Sequence, residues 1–452
     1  MKTESLASMC EAVIDCPHST PVWTKSGYVV LRNQNIKDGR LDLSEPSFTD
    51  EEHFKQRIRR MAPRPGDIVI TREAPMGEVC KIPEGLTCCL GQRQVLLRPK
   101  ADVDADYLLY ALQSPFVQNQ IRWNEGTGST VSNIRIPILE KIEIPRHDQA
   151  ETSIAKALGS LDSKIDLNRR INQTLEAMAQ AIFKSWFVDF DPVKARIAAI
   201  EQGEDPLRAA MRAISGKTDF ELDQMLREHH DQLAATAALF PDAMEESELG
   251  EIPKSWVFHA ADLLTEVGIG KTPPRKEPQW FTEGEGDWRW VSIRDMGVGG
   301  VFQQRSSEFL TSEAVSRFNV RVVPDRTVLL SFKLTIGRVA LTDGPMVTNE
   351  AIAHFKLPTD AAISSEYLYL YLKSFDYSML GSTSSIADAV NSKTIREMPI
   401  VVASRSLIDR FTRSIAPLFM EMKNRQNEIA SLCATRDALL PKLLSGEIEV
   451  SP

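Results

Sequence analysis

Long apolar runs are missing from these 452 residues: nothing approaches the roughly 18 consecutive apolar residues that a membrane helix needs. The amino terminus, MKTESLASMCEAVIDCPHS, carries no apolar core after its lysine and does not read as a secretory signal. The expectation is a soluble, cytoplasmic chain with no membrane partner. Cysteine is scarce too, six in all. Cys10, Cys16, Cys80, Cys88, Cys89 and Cys433 are scattered, which fits neither a disulfide framework nor a zinc site, so all are expected reduced. The seven histidines are equally dispersed, and their one doublet, His229-His230, lies in an acidic stretch where a solvated helix face is expected, not a metal site.

Catalytic strings are absent as well. HExxH, paired CxxC and GxSxG do not occur, which leaves acid–base and nucleophilic chemistry without an evident constellation. GIGKTPP (268–274) has Thr265 where a phosphate-binding loop needs its first glycine, and two prolines where a helix should begin. DFDP (189–192) reads as a helix end at Pro192. No catalytic residue, metal or bound cofactor is expected.

What is present is an ordinary globular balance, 42% hydrophobic and 25% charged. At roughly 150 residues per domain the length implies about three folding units. Net charge is −9, but residues 196–248 alone hold five basic and twelve acidic side chains. Residues 22–100 lean the other way, with fourteen basic and ten acidic side chains and a cluster at Lys55, Arg57, Arg59, Arg60 and Arg64. A local basic face matters more for phosphate contact than the sum over the chain.

The chain also repeats itself. YVVLRNQNI (28–36) returns as WRWVSIRDM (288–296), GDIVITREAPMGEV (66–79) as RTVLLSFKLTIGRV (326–339), and YLLYALQSP (107–115) as YLYLYLKSF (367–375), at a constant offset of 260. In each copy the β-branched runs Asp67–Thr71 and Thr327–Phe332 predict strands, and 105–113 and 365–373 predict short helices. Each copy is followed by a heptad. Ile154, Leu158, Leu161, Ile165, Leu175, Ala179, Ile182 and Trp186 mark the first, with Asn168 and Asn172 in its seam. Ile408, Phe411, Ile415, Leu418, Met422, Ile429, Leu432, Leu439 and Leu443 mark the second, interrupted by Arg425 and Arg436. Helices of about 36 residues, roughly 50 Å long, follow. Pro417 predicts a start or kink in the second. Two such stripes pack naturally against each other, antiparallel, giving the duplicated chain a pseudo-twofold axis.

The strings LNRRINQTLEAMAQAIFKSWFVDFDPV (167–193), LGEIPKSW (249–256) and RDALLPKLLSGEIEV (436–450) resemble the specificity subunit of type I restriction-modification enzymes, over nearly the whole chain. The resemblance implies an α+β protein with two tandem globular target recognition domains joined by two long helices in an antiparallel coiled coil. Its bounds would be a first recognition domain at 1–148, a first helix at 149–195, an acidic connection at 196–248, a second recognition domain at 249–403 and a second helix at 404–446. It implies a non-catalytic subunit whose domains each read one half of a split double-stranded DNA site. Two methyltransferase subunits would dock on the helices and restriction subunits would add to them, with S-adenosylmethionine and ATP held by those partners only. A coiled-coil scaffold with duplicated protein-interaction domains is the competing class. Expected DNA contacts are Arg57, Arg60, Arg72, Ser129, Thr130 and Asn133 in the first copy and Lys333, Thr383, Ser384 and Ser385 in the second. Partner docking is expected at Phe183, Trp186, Phe187 and Phe190, an aromatic group too large for a two-helix rod to bury, and at Leu440, Leu443 and Leu444.

Overall fold

The computed structural model describes residues 2–124, 133–282, 286–380 and 390–450. They form two units, one of residues 1–167 and 429–452, the other of residues 168–428.

The first unit holds β1 (Lys2–Ser5), β2 (Cys10–Asp15), β3 (Tyr28–Leu31), β4 (Ser47–Thr49), β5 (Ile68–Arg72), β6 (Met76–Lys81), β7 (Cys88–Leu90), β8 (Gln94–Pro99) and β9 (Glu143–Arg146). A four-stranded antiparallel sheet runs β2-β8-β5-β6, a three-stranded one β4-β3-β7, and β1 pairs with β9. The pattern follows from side-chain alternation. On the central strand β5, Ile68 and Ile70 join Tyr107, Leu112 and Ile121 on one face, while Val69 joins Leu31, Cys80 and Leu96 on the other. A strand covered on both faces reads as an unbroken apolar run. Helix α1 (Glu51–Arg57) starts at Asp50, whose carboxylate accepts the His53 amide, and α2 (Ala105–Gln113) starts at Asp104, which accepts the Asp106 and Tyr107 amides. Helix α3 (Pro115–Trp123) follows with Pro115 in its first turn.

Helix α4 (Glu151–Phe187) is 37 residues long. Its Ile154 and Leu158 enter the same apolar cluster as Tyr107, Ile144, Leu440, Leu443 and Leu444.

The acidic stretch continues as helices α5 (Asp191–Gln202), α6 (Pro206–Ser215), α7 (Asp219–Asp223) and α8 (Arg227–Ala237). Ala210, Met211, Leu222 and Ala237 give it a small core of its own. Arg208 and Arg212 both pair with Asp219, which tempers the charge.

The rest of the second unit repeats the first unit's plan. It holds β10 (Val257–Ala260), β11 (Glu266–Ile269), β12 (Trp288–Val291), β13 (Glu308–Leu310), β14 (Val328–Ser331), β15 (Val339–Thr342), β16 (Val347–Thr348), β17 (Ile352–Lys356) and β18 (Pro399–Val402). The strand order β11-β17-β14-β15 matches β2-β8-β5-β6, extended by the short strand Phe302–Gln303. Strands β12 and β16 are parallel, as β3 and β7 are. Individual hydrogen bonds repeat as well. The Tyr107 hydroxyl donates to the Pro145 carbonyl and the Tyr367 hydroxyl to that of Val401, at 2.8 and 2.7 Å. Thr71 Oγ1 accepts the Glu78 amide and Ser331 Oγ the Arg338 amide, each at 3.0 Å. Helix α9 (Ser365–Ser374) carries Tyr367 and is capped by Ser364.

Helix α10 (Arg405–Ser445) runs through Pro417 without ending. Within the second unit it faces α4. Asn172 Nδ2 donates to the Met422 carbonyl and an Arg425 nitrogen to Asn168 Oδ1, both at 3.3 Å. Both asparagines of α4 therefore lie against α10.

Candidate nucleic-acid interface

In the first unit one end of the sheet carries a polar, partly basic face. The turn leaving β5 (Glu73–Pro75) is held from three sides. Asn33 Nδ2 donates to the Glu73 carbonyl at 2.5 Å, Glu73 bridges to Asn133, and the Arg72 amide donates to the Arg93 carbonyl at 2.9 Å. Ala74 (φ 51°) and Arg93 (φ 68°) adopt the left-handed region, uncommon for residues with a Cβ, so this turn is fixed by its neighbours.

Asp15 organises the side chains. Both its oxygens accept from Arg72 at 3.1 Å, one lies 3.0 Å from His18 Nε2, and its carbonyl accepts from Arg60 at 3.2 Å. Arg60 is exposed, whereas Arg72 is only 17% exposed and is held in its ion pair. Sequence reasoning missed three further members of this face. Arg93 is about half exposed, 3.5 Å from the Glu73 carboxylate. Arg32 lies over the ring of Trp23 at 5.3 Å, and Trp23 is itself 46% exposed. An arginine beside an exposed aromatic combines phosphate affinity with a stacking surface. The separation of Trp23 and Arg32 by nine positions gave no local signal.

Arg57 is a correction. It is 7% exposed, and its guanidinium donates to the carbonyls of Leu90, Gly91, Ser19 and Pro17 at 2.8–3.3 Å. All its donor directions are spent tying the end of β7 to the 17–19 segment, so it has nothing to offer DNA. The cluster drawn from its sequence neighbours thus divides into a buried rivet and an exposed rim.

In the second unit Lys333 is exposed, its ammonium 5.5 Å from the Phe332 ring. Leu334 beside it is 93% exposed at φ 61°. Lys271 is also exposed, and Arg275 stacks on Phe281 and Trp290 at 4.2 and 4.5 Å while pairing with Glu308. Ser129, Thr130, Thr383, Ser384 and Ser385 lie outside the described residues.

The docking assignments are corrected too. Phe183, Trp186 and Phe187 are 0%, 4% and 2% exposed. Their rings pack on Tyr367, Phe411, Phe240 and Trp256 at 4.9–5.8 Å. The heptad reading counted only a second helix as cover; α9 and the 240–256 segment supply the rest. Phe190 is half-buried against Trp256 at 5.6 Å and takes the left-handed conformation that begins α5. Leu440, Leu443 and Leu444, at 8%, 3% and 2% exposure, belong to the core of the first unit.

All six cysteines are free and buried, and burial pushes the Cys80 and Cys88 thiols up to about 12. Among the described residues no cluster of metal-ligating side chains forms, and no helix is long and apolar enough to cross a membrane.

Residues 17–177 match the family described as type I restriction modification DNA specificity domain, which sets the chain among the components of such systems that recognise DNA sequence. Over 337 residues it is 33% identical to the type I restriction enzyme HindI specificity subunit of Haemophilus influenzae, covering 71% of each chain. It is 24% identical over 407 residues to the MjaIX specificity subunit of Methanocaldococcus jannaschii, covering 88% of this chain and 81% of that one. The crystal structure of the type I S subunit from M. genitalium aligns over 98% of this chain and 95% of that one, with 15% identity and a TM-score of 0.46. The chain belongs to the specificity subunits of type I restriction enzymes.

Proposed function

We propose that the two units read separate halves of one asymmetric double-stranded DNA site, with recognition domains at 1–148 and 249–403. Helices α4 and α10 form an antiparallel coiled coil that relates the domains by a pseudo-twofold axis, sets the spacer and docks two methyltransferase subunits. The helical segment 196–248 connects the first helix to the second domain. Restriction subunits join the assembly, the partners hold S-adenosylmethionine and ATP, and this chain, itself non-catalytic, works in the cytoplasm.

The observation that carries this reading is one strand order used twice, with different side chains at the same turn. Arg72-Glu73, paired with Asp15 and Arg93, stand where the second unit has a buried Phe332 and an exposed Lys333, so the two copies present different chemistry at the same turn. Partner docking falls to exposed helix surface such as Met178 and Met420, 48% and 63% exposed, since the aromatic cluster is core. The test is methylome sequencing of the host with this chain present and deleted, its methyltransferase left intact. Loss of methylation at one split, asymmetric motif on deletion is expected. An unchanged methylome in a strain whose methyltransferase is active would refute the reading.

A further inference from the structure

A single carboxylate in the first unit joins four elements. Asp162, on α4, accepts from the Tyr110 hydroxyl of α2 at 2.7 Å, from Arg40 at 3.1 Å and from Arg436 of α10 at 2.9 Å. Arg40 also donates to the Asp162 backbone carbonyl at 3.1 Å and pairs with Asp166 one turn further on. Arg40 belongs to the short hairpin of Ile36–Lys37 and Arg40–Leu41, just past β3, whereas Tyr110 lies on the helix packed over the four-stranded sheet. The domain is therefore tied to its helices at two separate points. The participants are sheltered: the side chains of Arg40, Asp162 and Arg436 are 17%, 22% and 12% exposed, and Tyr110 is 5% exposed. Burial, then the charge of Asp162, raises the Tyr110 hydroxyl above its ordinary pKa, which keeps it a donor.

The apolar contacts in the same place do a different job. Ile154, Leu158, Leu440 and Leu443 pack against the domain, but burial of apolar surface is non-directional and tolerates small rotations. Charge-assisted hydrogen bonds are directional and fix an angle. One base pair more or less between two half-sites displaces them by about 3.4 Å and turns them by about 34–36°. Holding a domain against such a rotation needs directional contacts, which Arg40 and Tyr110 supply from two different elements of the domain. The second unit uses both charged and neutral groups: Glu176 of α4 accepts from the Tyr369 hydroxyl of α9 at 2.7 Å and pairs with Lys373, and Lys423 of α10 pairs with Asp343 at 2.8 Å. Gln426 of α10 donates to the Phe302 carbonyl and accepts the Phe302 amide, each at 3.0 Å.

We propose that Asp162 is a positioning residue for spacer length: by gripping Tyr110, Arg40 and Arg436 together it fixes the rotation of the first recognition domain on its helices, and so the spacing of half-sites that the chain accepts. The inference rests on the bipartite reading above. Its test uses the chain assembled with its methyltransferase subunits and a DNA set in which both half-sites are constant and the spacer varies by one base pair either way. A second set keeps the spacer and changes single bases within each half.

Asp162→Asn and Tyr110→Phe should each lower the preference for the parental spacer, the former about tenfold, which corresponds to about 1.4 kcal/mol. Discrimination against single-base changes should stay within about twofold. Tyr110→Phe removes one hydroxyl from a buried ring, so the idea remains testable should Asp162→Asn fold poorly. Unchanged spacer preference in both variants would overturn the proposal, as would an equal loss of spacer and base discrimination. A parental complex that methylates no split site refutes the bipartite reading itself, an outcome separate from a failure of the clamp.

Discussion

Arg57 and Arg93 carry the same charge in opposite surroundings. Arg57 is enclosed by carbonyls, so Arg57→Ala leaves several buried acceptors unmatched and should cost about 3 kcal/mol of stability. Urea denaturation would show it, with the DNA affinity of the folded fraction unchanged. Arg93 is half exposed, with one long contact to Glu73. Arg93→Ala should leave the melting temperature alone and flatten the slope of log K against log salt by about 0.9, the value of one released counterion. The reverse pattern, in which Arg93 stabilises and Arg57 binds, would invert the assignment of rim and rivet.

His354 supplies a residue-level pH effect. It lies on β17 at 2% exposure, with Nε2 2.5 Å from Thr348 Oγ1 and Nδ1 without a partner among the described residues. Burial, with help from the charge of Arg321, lowers its pKa from 6.5 to about 3. The unfolded chain therefore takes up this proton first. The stability tied to neutral His354 is complete above pH 6.5 and drains away as pH falls from there toward 3. His354→Leu should flatten the stability profile across that window; an unchanged acid limb would show that other groups govern it.

At the scale of elements the decisive case is the end of α4. Trp186 packs edge-on against Phe240 at 5.2 Å and beside Phe411 at 5.6 Å, with Phe187 next to it. Trp186→Ala should cost about 3–5 kcal/mol, the range for large aromatic truncations in a core. Denaturation of the free chain measures it, and methyltransferase binding at a temperature where the variant stays folded should be close to parental. A stable variant that fails to bind would restore the docking role. This is also where legibility ended. The heptads were readable because residues like Ile154, Leu158, Phe411 and Ile415 mark one helix face by spacing alone. The β5 and β14 strands were readable because burial on both faces leaves an apolar run. Cover supplied by a distant segment leaves no mark on local spacing, which is why an aromatic cluster read as exposed proved to be core. Arg57 illustrates the same limit at one side chain: nothing in Lys55–Arg60 reveals that four carbonyls from two other segments surround it.

At the scale of the whole molecule, duplication explains why one chain carries two sheets of the same strand order, β2-β8-β5-β6 and β11-β17-β14-β15. On the proposed bipartite reading, two readers on one chain would gain from effective concentration, because the second encounter with DNA becomes intramolecular once the first is made. Each reader can then be weak alone and still contribute to a specific whole, and each can diverge without the other. The turn after β5 and the turn after β14 illustrate such divergence, one an arginine–glutamate pair locked to Asp15 and Arg93, the other an exposed Lys333-Leu334 tip. Exchanging residues 1–148 for the equivalent domain of another specificity subunit should therefore replace one half of the methylated motif and leave the other half intact. The clamp adds a condition. Asp162 and Arg436 stay behind in the helices, so a donor domain lacking counterparts of Arg40 and Tyr110 should bring its own half-site with a relaxed spacer, and one that has them should keep the parental spacing. Methylome sequencing of the chimaera reads both properties at once, and a change in both half-sites would show that the two readers are not independent.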